Sequence, residues 1–155
     1  MTLRSASARA ALVAVATVAL DQAVKALVRA EIDPGDRISV VPGLHLVHTR
    51  NSGVAFGLFP GGGALLIAVG ALALIALLTF FVTHAGRRLV WLPTGLLIGG
   101  AAGNLIDRLR LGAVTDFLQL PHWPAFNLAD MAITVGVVAL VLVIEASPKK
   151  PRARA

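Results

Sequence analysis

Two aspartates in the C-terminal part of the chain, Asp116 and Asp130, have the type and spacing of a catalytic pair. They lie 14 positions apart, and the segment between them contains Pro121 and Pro124, which favour a short loop that lets the two side chains meet. Of two carboxyl groups that share a proton, the ionised one takes a proton from water and the protonated one polarises a scissile carbonyl. The pair therefore predicts the chemistry of an aspartic protease, which needs no nucleophilic side chain.

Other reactive groups form less complete sets. His45 and His48 are three positions apart, which places them on opposite faces of a strand, and no clear third ligand for zinc accompanies them. A nucleophile pair of Ser52 and His48 lacks an acid to orient the histidine. The chain has no cysteine, which excludes disulfides, thiolate metal sites and a cysteine nucleophile. We therefore expect neither a metal nor another cofactor.

The composition indicates a membrane protein. The hydrophobic fraction is 57% and the charged fraction 14%, against roughly 45–50% and about 25% in soluble domains. The net charge is +6, but the basic residues lie mainly between and beyond the apolar blocks and form no stripe with interleaved aromatic residues. This arrangement argues against nucleic-acid binding and favours an explanation through membrane topology.

Four apolar blocks approach the length of about 20 residues that crosses a bilayer core. They cover residues 8–30, 63–83, 89–106 and 125–144 approximately. We predict an all-α membrane protein, a four-transmembrane-helix bundle that forms a single integral-membrane domain over residues 1–155. The first block has an alternative interpretation as a cleaved signal peptide, but it continues beyond Asp21 and no small-residue cleavage site ends it.

The basic residues orient the predicted bundle. If the chain crosses four times, one side receives eight of them: Arg4, Arg9, Arg87, Arg88, Lys149, Lys150, Arg152 and Arg154. This side is predicted to be cytoplasmic, with both termini inside. The opposite side receives the long segment 36–60, in which Ile38 to Val41 and Leu44 to Val47 are β-prone and Pro42-Gly43 is a turn. We expect a small extracytoplasmic β element here, between helices 1 and 2, and a polar cytoplasmic tail over residues 147–155.

Polar residues within or beside the predicted spans are functional candidates, because ionisable groups are costly at membrane depth. Asp21 and Lys25 are four positions apart on one helix face, which also fits a self-neutralising ion pair without a catalytic role. Asp107 and Arg108 fit a structural charge cluster, and Asp130 alone fits a helix cap or a side chain that reaches the membrane surface. Gly99, Gly100 and Gly103 permit close helix packing, and Gly112 is predicted to break the third helix.

Together these residues resemble the lipoprotein signal peptidase (signal peptidase II) family. Four motifs that occur in the family's order carry the resemblance from the first span to the fourth. They are Asp21, Gln22 and Lys25; Asn51, Gly53, Ala55, Phe56 and Gly57; Gly103, Asn104, Asp107, Arg108, Gly112, Val114, Asp116 and Phe117; and Phe126, Asn127, Ala129 and Asp130. Each motif is weak alone, whereas the ordered set with four spans is specific. One departure is Met131, where many members have a small hydroxyl residue.

The resemblance implies an intramembrane aspartic endopeptidase of the bacterial inner membrane with Asp116 and Asp130 as its catalytic dyad near the extracytoplasmic face. It implies a prolipoprotein substrate, cleaved before a diacylglyceryl-modified cysteine, contact with membrane lipids, and inhibition by the cyclic peptide globomycin. It also implies that a set of residues supports the site or binds substrate: Asp21, Lys25, Asn51, Gly53, Asn104, Asp107, Arg108 and Asn127.

The sequence also fits two other classes of function. In a small proton-coupled transporter or channel component, Asp21, Asp107 and Asp130 would relay protons. The other alternative is a structural chaperone or an assembly subunit. The placement of both key carboxylates at one membrane face favours surface chemistry over transport, because a relay also needs groups deeper or on the other side.

Overall fold

The computed structural model describes residues 3–53, 62–85, 87 and 89–146. Part of the predicted outer segment, including the motif residues Ala55, Phe56 and Gly57, lies outside these residues. The predicted cytoplasmic tail over residues 147–155, with Lys149, Lys150, Arg152 and Arg154, also lies outside them.

Four helices follow the four apolar blocks. They are α1 (Leu3–Glu31), α2 (Gly62–His84), α3 (Trp91–Leu111) and α4 (Leu128–Glu145). The third helix runs further than the apolar block because it stops only at Gly112, whose left-handed backbone (φ 72°) lets its N–H bond to the Arg108 carbonyl. The predicted break at Gly112 is therefore confirmed, and Asp107 and Arg108 lie within α3.

Three of the four described helices, α1, α2 and α4, are long and apolar enough to cross a membrane. Their outer surfaces carry exposed leucines, isoleucines and valines, such as Leu12, Leu72 and Val138. The helix α3 differs because it contacts all three of the others. Glycines and polar side chains replace large apolar ones along it, which lowers its hydropathy, and most of its residues are buried or half-buried.

A three-stranded antiparallel sheet accompanies the helices, in the order β1 (Arg37–Val41), β2 (Leu44–Asn51) and β3 (Val114–Gln119). The first two strands form the expected β element between α1 and α2. The third strand was not expected: it comes from the segment between α3 and α4, and it pairs Thr49 of β2 with Asp116. Asp116 therefore lies on a strand whose register is set by β2.

Close helix packing depends on glycines of α3. A Cβ atom on Gly99 would lie 2.8 Å from the Ala14 carbonyl oxygen of α1, and one on Gly100 would lie 2.5 Å from the Ala129 carbonyl oxygen of α4. At Gly103, a Cβ atom would lie 2.7 Å from the Asp21 carboxylate. The predicted role of these three glycines in close packing is confirmed. Their missing side chains let α1 and α4 come within hydrogen-bond reach of α3.

Apolar clusters lie at both ends of the molecule. One consists of Ala6 and Ala10 of α1 together with buried residues between positions 81 and 90, including Phe81 and Val90. The other joins Val28 and Ile32 at the end of α1 to Phe117 of β3. The second cluster seats the sheet on the end of α1, and it fixes the strand that carries Asp116 relative to the helices.

We predict that Gly99→Ala destabilises the protein, because the added methyl group would meet the α1 backbone and the Thr17 side chain. Overpacking of this kind lowers the free energy of unfolding by about 1–3 kcal/mol. Gly70→Ala is the matched control, since its Cβ would lie 3.5 Å from Leu105, an ordinary contact, and alanine favours a helix. Denaturant unfolding in detergent micelles measures both. Equal stability of the two variants would contradict the packing account.

Candidate active site

Asp116 is held by two asparagine side chains. The Asn51 side-chain amide donates to one carboxylate oxygen of Asp116 at 2.9 Å, and the Asn127 side-chain amide donates to the other at 2.6 Å. Asn51 is itself oriented by Gly53, whose N–H donates to the Asn51 side-chain oxygen at 2.8 Å from a backbone with φ 68°. Asp116 is only 2% exposed, so these amides replace the water that would otherwise solvate it.

Asp130 lies in the first turn of α4 and takes part in a capping box. The Asn127 side-chain oxygen accepts from the Asp130 N–H, and the Asp130 carboxylate accepts from the Asn127 N–H at 3.2 Å. The second oxygen of Asp130 accepts from the Asn104 side-chain amide at 2.8 Å. Both oxygens therefore have donors without any hydroxyl at position 131, where the Met131 side chain is 43% exposed.

Asn127 connects the two carboxylates. Its side-chain amide donates to Asp116, while its backbone N–H donates to Asp130. The helix-cap interpretation of Asp130 is thus confirmed, but the same cap brings Asp130 into one network with Asp116. The two carboxyl groups, which the sequence predicts to meet, thus accept hydrogen bonds from one shared residue.

Burial raises the pKa of Asp116 above its ordinary value of 3.8. The Asn51 hydrogen bond opposes this shift, the negative charge of Asp130 adds to it, and the Asn127 hydrogen bond and the Lys25 charge oppose it. The charge of Asp130 raises the pKa of Asp116 because a neighbouring negative charge disfavours ionisation of the carboxyl group. Asp116 thus holds a proton at higher pH than an exposed aspartate does.

A buried ion cluster lies beside the pair. The Lys25 ammonium contacts Asp21 at 2.9 Å and Asp107 at 3.3 Å, and all three side chains are at most 1% exposed. The predicted Asp21–Lys25 ion pair is confirmed. Asp107, which was expected to form a charge cluster with Arg108, pairs with Lys25. Gln22, at 3.0 Å from Asp107, donates to both acids.

Arg108 approaches the network from α3. One guanidinium nitrogen donates to the Asn104 carbonyl at 3.4 Å. Its Nε is buried and has no hydrogen-bond partner among the described residues. The side chain therefore has donor capacity left beside Asn104, the residue that contacts Asp130.

A cavity of about 450 Å³ opens next to Asp116. The residues that line it come from the end of β2 and from the loop before α4: Thr49, Arg50, Asn51, Ser52, Gly53, Asp116, Pro124 and Ala125. Thr49, Arg50, Pro124 and Ala125 were not among the predicted site residues, because the pairing of β2 with β3 and the bridge between Leu118 and Phe126 bring them together only in the folded chain. Ser52 lines the cavity, whereas His48 is not among its lining residues and its Nδ1 bonds to the Ile32 carbonyl at 2.8 Å.

The apolar helices and the two amide-held carboxylates define a multi-pass membrane protein with a paired-carboxylate centre. The comparisons with known proteins agree in class. The family model described as signal peptidase (SPase) II matches residues 13–145. The chain therefore belongs to the signal peptidase II family, and it is a protease.

Similar proteins cover most of the chain. A lipoprotein signal peptidase of Halothermothrix orenii is 40% identical over 84% of this chain and 91% of its own length. One from Moorella thermoacetica is 43% identical over 83% of this chain and 87% of its own length. A solved structure of a bacterial membrane enzyme matches with a TM-score of 0.84 at 32% identity, covering 90% of this chain and 94% of that one.

The two tasks of Asn127 can be separated by substitution. Asn127→Ser keeps an N-cap acceptor but loses the amide donor to the buried Asp116, so we expect a destabilisation of about 1–3 kcal/mol and a strong loss of peptidase activity. Asn127→Ala loses both, and we expect a further destabilisation of about 1 kcal/mol. Unfolding and cleavage assays on both variants test this. Full activity of the serine variant would show that the donor to Asp116 is dispensable.

Proposed function

We propose that this protease removes signal peptides from diacylglyceryl-modified prolipoproteins, cleaving before the lipidated cysteine by activation of water at the Asp116–Asp130 dyad. The observation that carries the proposal is the bridge through Asn127, which donates to both carboxylates. The substrate class comes from the family, whose relatives are called lipoprotein signal peptidases. The chemistry comes from the pair of carboxyl groups.

In this proposal Asp116 holds the shared proton and Asp130 acts as the base. Asp116 is the more deeply buried of the two, and its pKa is raised by that burial. Asp130 is half-buried, so water can approach it more easily. The protonated Asp116 polarises the scissile carbonyl while Asp130 takes a proton from the attacking water, and the roles exchange when the amine leaves.

The remaining site residues arrange these two groups. Asn51, Asn104 and Asn127 donate to the carboxylates, and Gly53 orients Asn51. The buried Asp21, Lys25 and Asp107 form the supporting ion cluster. We assign Arg108 to substrate binding or site support, as the family resemblance implies, because one of its guanidinium nitrogens donates to the backbone carbonyl of Asn104, the residue that contacts Asp130.

The proposed setting is the bacterial inner membrane, with four spans, both termini cytoplasmic and the dyad near the outer face. All four helices count as spans here, because α3 contacts the other three. A lipid-modified precursor dissolved in the outer leaflet then reaches the dyad laterally, with its acyl chains among the apolar helices. Inhibition by globomycin remains an expectation from the family resemblance, and no cofactor or nucleic acid enters the proposal.

The transporter alternative is weaker in this geometry. Asp21 and Asp107 are both paired with Lys25, and each also accepts a backbone N–H, at 2.9 Å from Ala129 and at 3.0 Å from Thr115. Carboxylates with these fixed partners are poor proton carriers, because each protonation would break a buried contact.

We predict that Asp116→Asn and Asp130→Asn each abolish cleavage of a lipidated precursor while the protein stays folded and inserted, since asparagine keeps the shape but cannot exchange a proton. Asp33→Asn, at an exposed turn away from the site, is the control and should cleave normally. A gel-shift assay with purified proteins measures all three. Near wild-type processing by either dyad variant would refute the assignment.

The raised pKa of Asp116 predicts a dependence of stability on pH. Because the folded state binds this proton more tightly than the unfolded state, the stabilisation is complete below about 3.8 and is lost as pH rises through the raised pKa. Asp116→Asn mimics the protonated form, so its stability relative to wild type should increase as pH rises through this range. Unfolding curves of both proteins at several pH values measure the difference. A difference that stays constant or falls with pH would contradict the direction.

A further inference from the structure

We propose that Lys25 is a positioning residue for the dyad: its ammonium fixes the direction of the Asn104 amide, so that the amide NH₂ always faces Asp130. This inference rests on the proposed function of Asp116 and Asp130. It assigns to the buried ion cluster a task in catalysis that an ion pair serving only to neutralise charge would not have.

The three donors of Lys25 have three acceptors. An ammonium group has three N–H bonds and no acceptor. Two point to Asp21 and Asp107, at 2.9 Å and 3.3 Å, and the third donates to the Asn104 side-chain oxygen at 2.9 Å. Since Lys25 is 0% exposed, water does not take the place of any of them. The third contact is therefore a fixed part of the cluster.

The contact with Lys25 decides which end of the Asn104 amide faces Asp130. The oxygen end accepts from Lys25 and, at 3.1 Å, from the Asn127 side chain, while the nitrogen end donates to Asp130 at 2.8 Å. A flipped amide would place NH₂ against the ammonium and oxygen against the carboxylate. Both contacts would be repulsive in a buried setting, so the cation removes the alternative orientation.

The two acids of the cluster contact the chain next to each member of the dyad. Asp107 accepts from the N–H of Thr115, which directly precedes Asp116. Asp21 accepts from the N–H of Ala129, which directly precedes Asp130. A single buried cation thus holds the two acids that anchor β3 and the start of α4. Lys25 links these anchors to the side chain that contacts Asp130.

The test compares variants in an Asp107→Asn background, because Lys25→Met alone would leave two buried acids without a cation. With Asp107→Asn, the cluster charge changes from −1 to 0, and the added Lys25→Met restores −1 without a cation. We expect Lys25→Met in this background to lower kcat by on the order of 10- to 100-fold with little change in KM. Lys25→Gln, which is neutral but keeps a donor, should recover part of kcat.

A double-mutant cycle with Asn104→Ala separates positioning from general structural support. If Lys25 acts through Asn104, adding Lys25→Met to Asn104→Ala, both in the Asp107→Asn background, lowers kcat by a clearly smaller factor than it does when Asn104 is present. Independent, multiplying losses would overturn the proposal, as would a Lys25→Met variant with kcat within about twofold of its background. If the methionine variant does not fold, the glutamine variant decides: a lowered kcat at constant KM supports the proposal, and an unchanged kcat refutes it.

This outcome is distinct from that of the proposed function. If wild type cleaves the lipidated precursor and the dyad variants do not, the dyad assignment stands whatever the Lys25 variants do. If the dyad variants remain active, the proposed function is wrong, and any effect of the Lys25 variants would have to act on another site.

Discussion

Buried polar groups without water must find every partner inside the protein, and this requirement governs the centre of the molecule. Lys25, Asp21, Asp107 and Asn127 are almost fully buried, and each makes several hydrogen bonds or ion pairs. An uncompensated charge in such a place would cost several kcal/mol (about 3–5 for a broken buried pair). The partners are therefore mutually dependent, and they fix the positions of the helix and strand ends from which they come.

Glycine makes this network geometrically feasible. The carboxylate of Asp21 passes Gly103 so closely that a Cβ atom there would lie 2.7 Å from it, and α4 approaches α3 at Gly100. Larger residues would separate the backbones, and the Asp21 carboxylate would no longer reach the Ala129 N–H on α4. The small residues of α3 thus serve two purposes, close packing and access of polar side chains to their partners.

The start of α4 shows how a local structural device can serve a site. Asn127 is an N-cap, a role that needs only one side-chain oxygen. Its remaining side-chain nitrogen is free to donate to Asp116, and its backbone N–H donates to Asp130. One residue therefore stops the loop, starts the helix and holds both carboxylates, so the geometry of the proposed dyad is tied to the geometry of the helix end.

The sequence by itself determined the local features. Apolar blocks of span length gave the four helices, the spacing of Asp21 and Lys25 gave their ion pair, and Gly112 gave the end of α3, because each depends on residues within a few positions of one another. It also indicated Asp116 and Asp130 as a pair. Tertiary structure alone decided that β3 joins the sheet, that Asp107 pairs with Lys25, and that Lys25 meets Asn104 across 79 positions. Contacts of that kind depend on how α1, α3 and α4 pack, and the pattern of residues along a single helix does not specify the partner that another helix presents.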